Sequence, residues 1–202
     1  RYSLPRVAAS LFDLGIVFGL ERAVLDEQRG AEAGQYTRHV TTSRLTASRW
    51  LHTAGPSHGW RISAAVQQKL YEHKHLSGDP GLFFDAGVSS LITRIEKRTV
   101  VESAVQRTGQ HYGYELQKGA RRLESDRQHE QHFVFYRHYG NLGQPGGANI
   151  HIHLRAGACS RSIFGDPCFS LGGATTIRGI RRNAAEGNAF ALANLQLLVP
   201  LT

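Results

Sequence analysis

The chain holds no methionine and only two cysteines in 202 residues, and it begins at Arg1. With no methionine or signal peptide at the start, and a stop at Thr202 just after an apolar segment, it is expected to be a piece of a longer protein. Any targeting sequence would then lie outside it. No run of 18 apolar residues occurs, so no transmembrane helix is visible. The longest apolar patch, around Leu11 to Leu20, is short and contains Asp13. Acidic side chains are the minority, 16 against 24 Lys and Arg, for a formal net charge of +8. That balance points to an anionic partner, nucleic acid or lipid headgroups, or to a basic interior surface such as a pore. A hydrophobic content of 41% excludes a disordered tail and leaves one ordinary domain or a large piece of a bigger one.

Several catalytic patterns are missing too. No Gly-x-Ser-x-Gly nucleophile elbow and no phosphate-cradling P-loop occur. HEQH at 129–132 has the wrong spacing for a metalloprotease helix. His73 with His75, and His151 with His153, would each put two imidazoles on one face of a strand, but no third ligand is evident. These histidines read as wet-face residues and no metal is expected. GACSRS around Cys159 has no base to orient a thiol nucleophile. No enzyme activity, no catalytic residue and no cofactor is expected. Cys159 and Cys168 stand nine apart, and that spacing leaves open both a disulfide closing a short loop and two free thiols.

What is present is alternation. Ile150, Ile152, Leu154, Ala156 and Ala158 alternate with Asn149, His151, His153, Arg155 and Gly157, a strict period of two over 149–158. Over 188–199, Ala189, Ala191, Ala193, Leu195, Leu197 and Val199 share one face. Residues 61–73 alternate as well, although Ile62, Val66 and Leu70 also fit helical spacing. Segments 111–118 and 132–139 read as strands, and 36–52 and 82–101 as weaker ones. The first thirty residues are ambiguous, and GLERAVLDEQRGAEA alone would pass for a helix end. Turn signals fall at 54–59, 77–81, 107–110, 140–147 and 164–167. Strand-like runs joined by polar turns, with no βαβ rhythm and no repeat, make an antiparallel β-meander. Periodicity alone leaves two architectures open: a membrane barrel, apolar outside and polar inside, and a soluble β or mixed α/β fold. Basic residues interleaved with aromatics, in HFVFYRHYG and at Arg121 and Arg122, keep a soluble nucleic-acid-binding module as an alternative, but the charge is spread over all strands rather than clustered.

The C-terminal forty residues carry a resemblance. FSLGGATTIRGI (169–180), followed by EGNAFALANLQLLVPL (186–201), is similar to the BamA-type outer-membrane family. This is the bacterial surface antigen family, with BamA, TamA, the mitochondrial Sam-type barrel and the two-partner secretion pores. Its hallmark is a long loop carrying Gly-Gly and an Arg-Gly pair, then a strand opening on Gly-Asn. Here Gly172, Gly173, Ile177, Arg178 and Gly179 stand in the loop, and Gly187, Asn188, Leu195 and Pro200 in the strand. IFGDPCF (163–169) resembles the family's lead-in. The resemblance covers about 160–201 and departs in three places. Ile180 replaces an aromatic, the loop after the motif is short, and the chain stops where about four more strands would follow.

The resemblance implies an all-β, antiparallel transmembrane β-barrel, with 1–202 part of a 16-stranded barrel. The Arg-Gly loop would span about 160–187 and the next strand 188–200. It implies an outer-membrane protein, mitochondrial somewhat favoured over Gram-negative bacterial, that inserts or assembles β-barrel proteins; a two-partner secretion pore is the alternative within the family. Partners would be unfolded β-barrel client polypeptides, the lipid bilayer and accessory assembly subunits, with no nucleic acid. Arg178 would fold into the lumen and lock the loop against an acidic or aromatic partner. The family's Phe-x-Asp-x-Gly acceptor normally follows the loop. FFDAG (83–87) and LFDLG (11–15) lie upstream and read as chance matches, which puts the acceptor beyond Thr202.

Overall fold

The computed structural model describes residues 2–3, 13–29, 32–52, 58–78, 85–103, 106–119, 125–126, 128–143, 147–160, 168–173, 176–177, 179–181 and 184–199. Arg178, Thr175, Pro200, Arg121 and Arg122 lie outside the described residues, as do most of the turn positions at 54–57, 79–81 and 164–167. The described residues contain strands and no helix.

The strands are β1 (Tyr2–Ser3), β2 (Asp13–Arg29), β3 (Glu32–His52), β4 (Gly59–Gly78), β5 (Ala86–Arg98), β6 (Val101–Glu102), β7 (Arg107–Gly119), β8 (His129–Leu142), β9 (Ala148–Cys159), β10 (Phe169–Leu171), β11 (Ala185–Gly187) and β12 (Ala189–Leu198). One antiparallel sheet runs in the order β1-β2-β3-β4-β5-β7-β8-β9-β12, with β6 on β7, and it is not closed. β10 and β11 form a separate two-stranded hairpin between β9 and β12. The sequence order of the main strands is their order in the sheet, as consecutive hairpins dictate.

Two expectations are corrected. The stretch that passed for a helix end lies in β2 and β3, because Leu14, Ile16, Phe18 and Leu20 keep a period of two. The turn expected at 107–110 is instead the start of β7. The chain reverses at 103–106, where Ser103 N–H donates to the Gln106 carbonyl at 2.8 Å and Ser103 Oγ accepts from Gln106 N–H at 3.0 Å. A Ser side chain substitutes there for a Gly-containing turn. The helical spacing also open for 61–73 is not adopted, since β4 is a strand throughout.

The residues group into two compact units. One takes 1–47, 65–92 and 118–128; the other takes 48–64, 93–117 and 129–202. In the first, Tyr36, Val40, Ala65, Tyr71, Val88 and Ile92 are buried, together with Thr37, Gln67 and Ser90. Tyr36 meets the His75 ring edge-on at 5.5 Å. Asp126 closes its loop by accepting Gly87 N–H at 2.7 Å, while its own N–H donates to the Gly87 carbonyl at 2.9 Å.

The second unit has the opposite polarity from a water-soluble sheet. On β12 the exposed side chains are Ala189, Ala191, Ala193, Leu195 and Leu197, and the shielded ones are Phe190, Leu192, Asn194 and Gln196. Leu195 is 70% and Leu197 58% exposed. On β9, Leu154 is exposed while Asn149 and His151 are buried. At the start of β4, Trp60, Ile62 and Ala64 are exposed, and Arg61 and Ser63 between them are shielded. An antiparallel sheet in water turns its apolar face to the core. Here the polar face is the more shielded one.

Register aligns these faces across strands. Leu195, Ile152 and His138 stand side by side, as do Ala193, Leu154 and Tyr136. On the same face Trp60, Tyr112 and Tyr136 form a row over β4, β7 and β8, with ring centroids 6.1 and 6.3 Å apart. Lys97 extends its ammonium to 5.6 Å from the Trp60 ring.

Candidate functional site

The site is built on the shielded face of β8, β9 and β12, under the β10–β11 hairpin. Alternation on β9 puts His151, His153, Arg155, Gly157 and Cys159 on this face. Antiparallel register then sets Arg137 of β8 and Asn194 of β12 on either side of His153, and Tyr139 and Gln196 on either side of His151.

The hairpin is fastened to that face at three places. Cys159 and Cys168 form a disulfide, with Cα atoms 6.5 Å apart, which resolves the open question of their state. Next to it the Asn188 carbonyl accepts Cys159 N–H at 2.8 Å, and Asn188 Oδ1 accepts Cys168 N–H at 3.4 Å. Phe169 then packs on Phe190 at 4.8 Å. Both rings lie over Gly157, where a Cβ would come within 2.7 Å of each, so only glycine lets the hairpin approach so closely. Finally, Asn194 Nδ2 donates to the Thr176 carbonyl at 3.0 Å.

The glycine motif shapes the hairpin itself. Gly172, Gly173 and Gly179 have φ of 124°, 81° and 81°. At Gly172 a Cβ would also strike the Arg181 carbonyl. Thr176 Oγ1 accepts Gly172 N–H at 2.6 Å and donates to the Gly172 carbonyl at 2.7 Å. Ile177 bridges to Gly173, and Gly173 N–H donates to the Ile180 carbonyl at 2.8 Å. Gly172, Gly173, Ile177 and Gly179 are therefore brought together in one compact turn. Arg178 sits in that turn by sequence but lies outside the described residues.

A second cluster, absent from the sequence-based expectation, lies on the shielded face of β4, β5 and β7. Glu96 is its centre. Arg94 donates to Glu96 Oε2 through Nε at 2.9 Å and Nη2 at 2.5 Å. Arg61 Nη1 lies 3.5 Å from Oε1, and His111 Nε2 shares a hydrogen bond with Oε2 at 3.1 Å. Arg61 also donates to Ser48 Oγ at 2.6 Å, and Arg94 reaches Glu115 at 3.6 Å. Phe135, itself buried, lies between the guanidinium of Arg94 at 4.7 Å and that of Arg137 at 5.7 Å. Cations against an aromatic face retain part of the stabilisation they lose from water. The alternation of β5 and β7 placed these residues on one face; their convergence needed the inter-strand register.

Among the described residues no three His, Cys, Asp or Glu side chains converge as a metal site would require. His151 and His153 stack in parallel, 6.4 Å between centroids. Asp85 of the upstream Phe-x-Asp-x-Gly look-alike accepts the backbone N–H of His73 at 2.8 Å.

Fold and site together define an antiparallel β-sheet protein with an exposed apolar face and a glycine hairpin seated on a polar one. No protein-family model matches the chain, and no curated protein matches it.

Proposed function

We propose that this chain forms part of a transmembrane β-barrel of the BamA type, whose exposed apolar face contacts lipid and whose shielded polar face lines a wet lumen. The observation that carries this reading is the inverted polarity of the second unit: Leu154, Leu195 and Leu197 are exposed while Asn149, His151 and Glu96 are buried. Continuous apolar exposure on this scale is foreign to a soluble monomer. The even-numbered side chains of β9 are apolar from Ala148 to Ala158. An extended strand tilted by ~40° rises about 26 Å over that distance, close to the ~25 Å apolar band of such barrels. The Trp60–Tyr112–Tyr136 row, with Lys97 reaching past it, has the composition of the aromatic girdle that marks a membrane interface. The connections are unequal in length in the same sense as those barrels: only 143–147 separate β8 from β9, whereas 160–188 separate β9 from β12.

The hairpin seated on the polar face supplies the device. Its disulfide, its Phe169 contact and the Asn194 bond seat the hairpin on the polar face, which in this reading is the lumen wall. A guanidinium never deprotonates and grips an acidic partner through a planar fork, so Arg178 acts as a lock rather than a catalyst. In lipid every strand edge must find partners, so a client strand gains by pairing with an edge of the sheet. The function is insertion or assembly of β-barrel polypeptides at an outer membrane.

The test is reconstitution of the full-length protein in liposomes with an unfolded β-barrel client. Client folding is expected to accelerate, and Arg178→Ala to reduce the acceleration about tenfold while the protein's own folding persists. No acceleration by the intact protein contradicts the assembly function; undiminished acceleration by Arg178→Ala contradicts the lock.

A further inference from the structure

The two compact units differ in charge. With His neutral, the unit made of 48–64, 93–117 and 129–202 carries twelve Lys and Arg against six Asp and Glu, a net +6. The other unit carries twelve against ten, a net +2. The excess is a matter of composition and holds whatever partner each basic group takes.

Alternation puts an arginine of the first of these units on the shielded face of each of five strands: Arg61 on β4, Arg94 on β5, Arg107 on β7, Arg137 on β8 and Arg155 on β9. These strands are neighbours in the sheet. The guanidiniums follow one another across it. Arg61 and Arg94 meet on Glu96, at 3.5 and 2.5 Å. Arg94 lies 4.7 Å and Arg137 5.7 Å from the centre of the Phe135 ring. Arg137 then borders, with Arg107 and Arg155, a cavity of about 500 Å³. No carboxylate is among the described residues lining it. Acids on this face are fewer and already engaged: Glu96 by two guanidiniums and His111, and Glu115 by Arg94 at 3.6 Å. Arg137 makes no ion pair among the described residues. Fixed charge of one sign along a wall repels mobile ions of that sign and concentrates the opposite one. Anion-selecting pores are lined by Arg and Lys for this reason.

We propose that this arginine belt makes the passage along the shielded face selective for small inorganic anions such as chloride. The inference rests on the reading of that face as a lumen wall, and adds a conduction property that client assembly does not require. Selection comes from the field of the belt rather than from tight capture, because a conducted ion must be able to leave. Packing against Phe135 holds the Arg94 and Arg137 charges at the wall.

The experiment places the full-length protein in planar bilayers under a tenfold potassium chloride gradient. The reversal potential gives the chloride-to-potassium permeability ratio. A ratio of about 3 or more is expected with about 0.1 M salt on the concentrated side. With about 1 M salt there, the ratio is expected closer to unity, because the Debye length shrinks from about 10 to about 3 Å. Arg137→Gln is expected to lower the ratio about twofold and Glu115→Gln to raise it, opposite signs that a merely structural defect would not give. Lys97→Gln removes the same charge from the exposed face, beside Trp60, and is expected to leave the ratio unchanged. The salt dependence needs no variant and decides the matter should Arg137→Gln fail to fold. Conductance without anion preference, or with a preference that high salt does not reduce, overturns the proposal and leaves the lumen reading standing. Equal effects of Arg137→Gln and Lys97→Gln do the same. Absence of any conductance by the folded protein overturns the proposal together with the wet lumen.

Discussion

On β9 and β12 one face carries Ile150, Ile152, Leu154 and Ala156 beside Ala191, Ala193, Leu195 and Leu197; the other carries His151, His153 and Arg155 beside Asn194 and Gln196. The two faces belong to the same strands, share the same backbone ladder and differ only by the pleat. The hairpin, its disulfide and its asparagine bond all lie on the polar face. The exposed apolar face carries its aromatic row, with Lys97 over Trp60, and the Tyr114–His132 contact. In water this arrangement would leave the apolar face unsupported. In a bilayer both faces would have a matching environment, lipid on one side and water with fixed charge on the other.

Substitutions separate the two faces. Leu154→Arg puts a charge in the middle of the exposed apolar face, between Ala193 and Tyr136. If lipid covers that face, the change destabilises by about 3 kcal/mol in bilayers, read as a lower urea midpoint. If water covers it, the effect stays within about 0.5 kcal/mol, as for an ordinary surface site. Glu96→Gln tests the other face. It removes the carboxylate shared by Arg61, Arg94 and His111 and leaves their donors crowded together. Loss of one partner from a buried pair costs about 3–5 kcal/mol. Both arginines are about a third exposed, so solvent screening lowers the expected loss to about 2 kcal/mol in the same unfolding assay. A loss near zero would mean that the cluster is solvated and the polar face open.

Much of the fold was legible because period two is a local signal. The strict alternation of 149–158, and the looser one of 188–199 with Phe190 and Leu192 on the polar face, gave β9 and β12 and assigned their residues to faces. The beginning of the chain was harder, since Glu21, Arg22, Asp26 and Glu27 interrupt the apolar run and imitate a helical surface in β2. The turn at 103–106 was missed because Ser103 does what a glycine was expected to do at Gly109. Within the site, the glycine motif marked the hairpin, and Gly172 and Gly179 do take the conformations that favour glycine. The Glu96 cluster was not legible. It depends on which residue faces which across three strands, and a register shift by one residue would dissolve it. Alternation assigns a face but does not set that register.

The chain has two tryptophans, one on each face: Trp60 in the exposed aromatic row and Trp50 on the shielded side, with the Arg61 guanidinium 5.7 Å from its ring. This gives a direct test of the central claim. In bilayers containing brominated lipid, the full chain with Trp50→Phe leaves only Trp60 emitting, and the chain with Trp60→Phe leaves only Trp50. Trp60 is expected to be strongly quenched by the brominated acyl chains and Trp50 hardly at all. Equal insensitivity of both to brominated lipid, with Trp60 quenched instead by aqueous iodide, would contradict a lipid-facing apolar face.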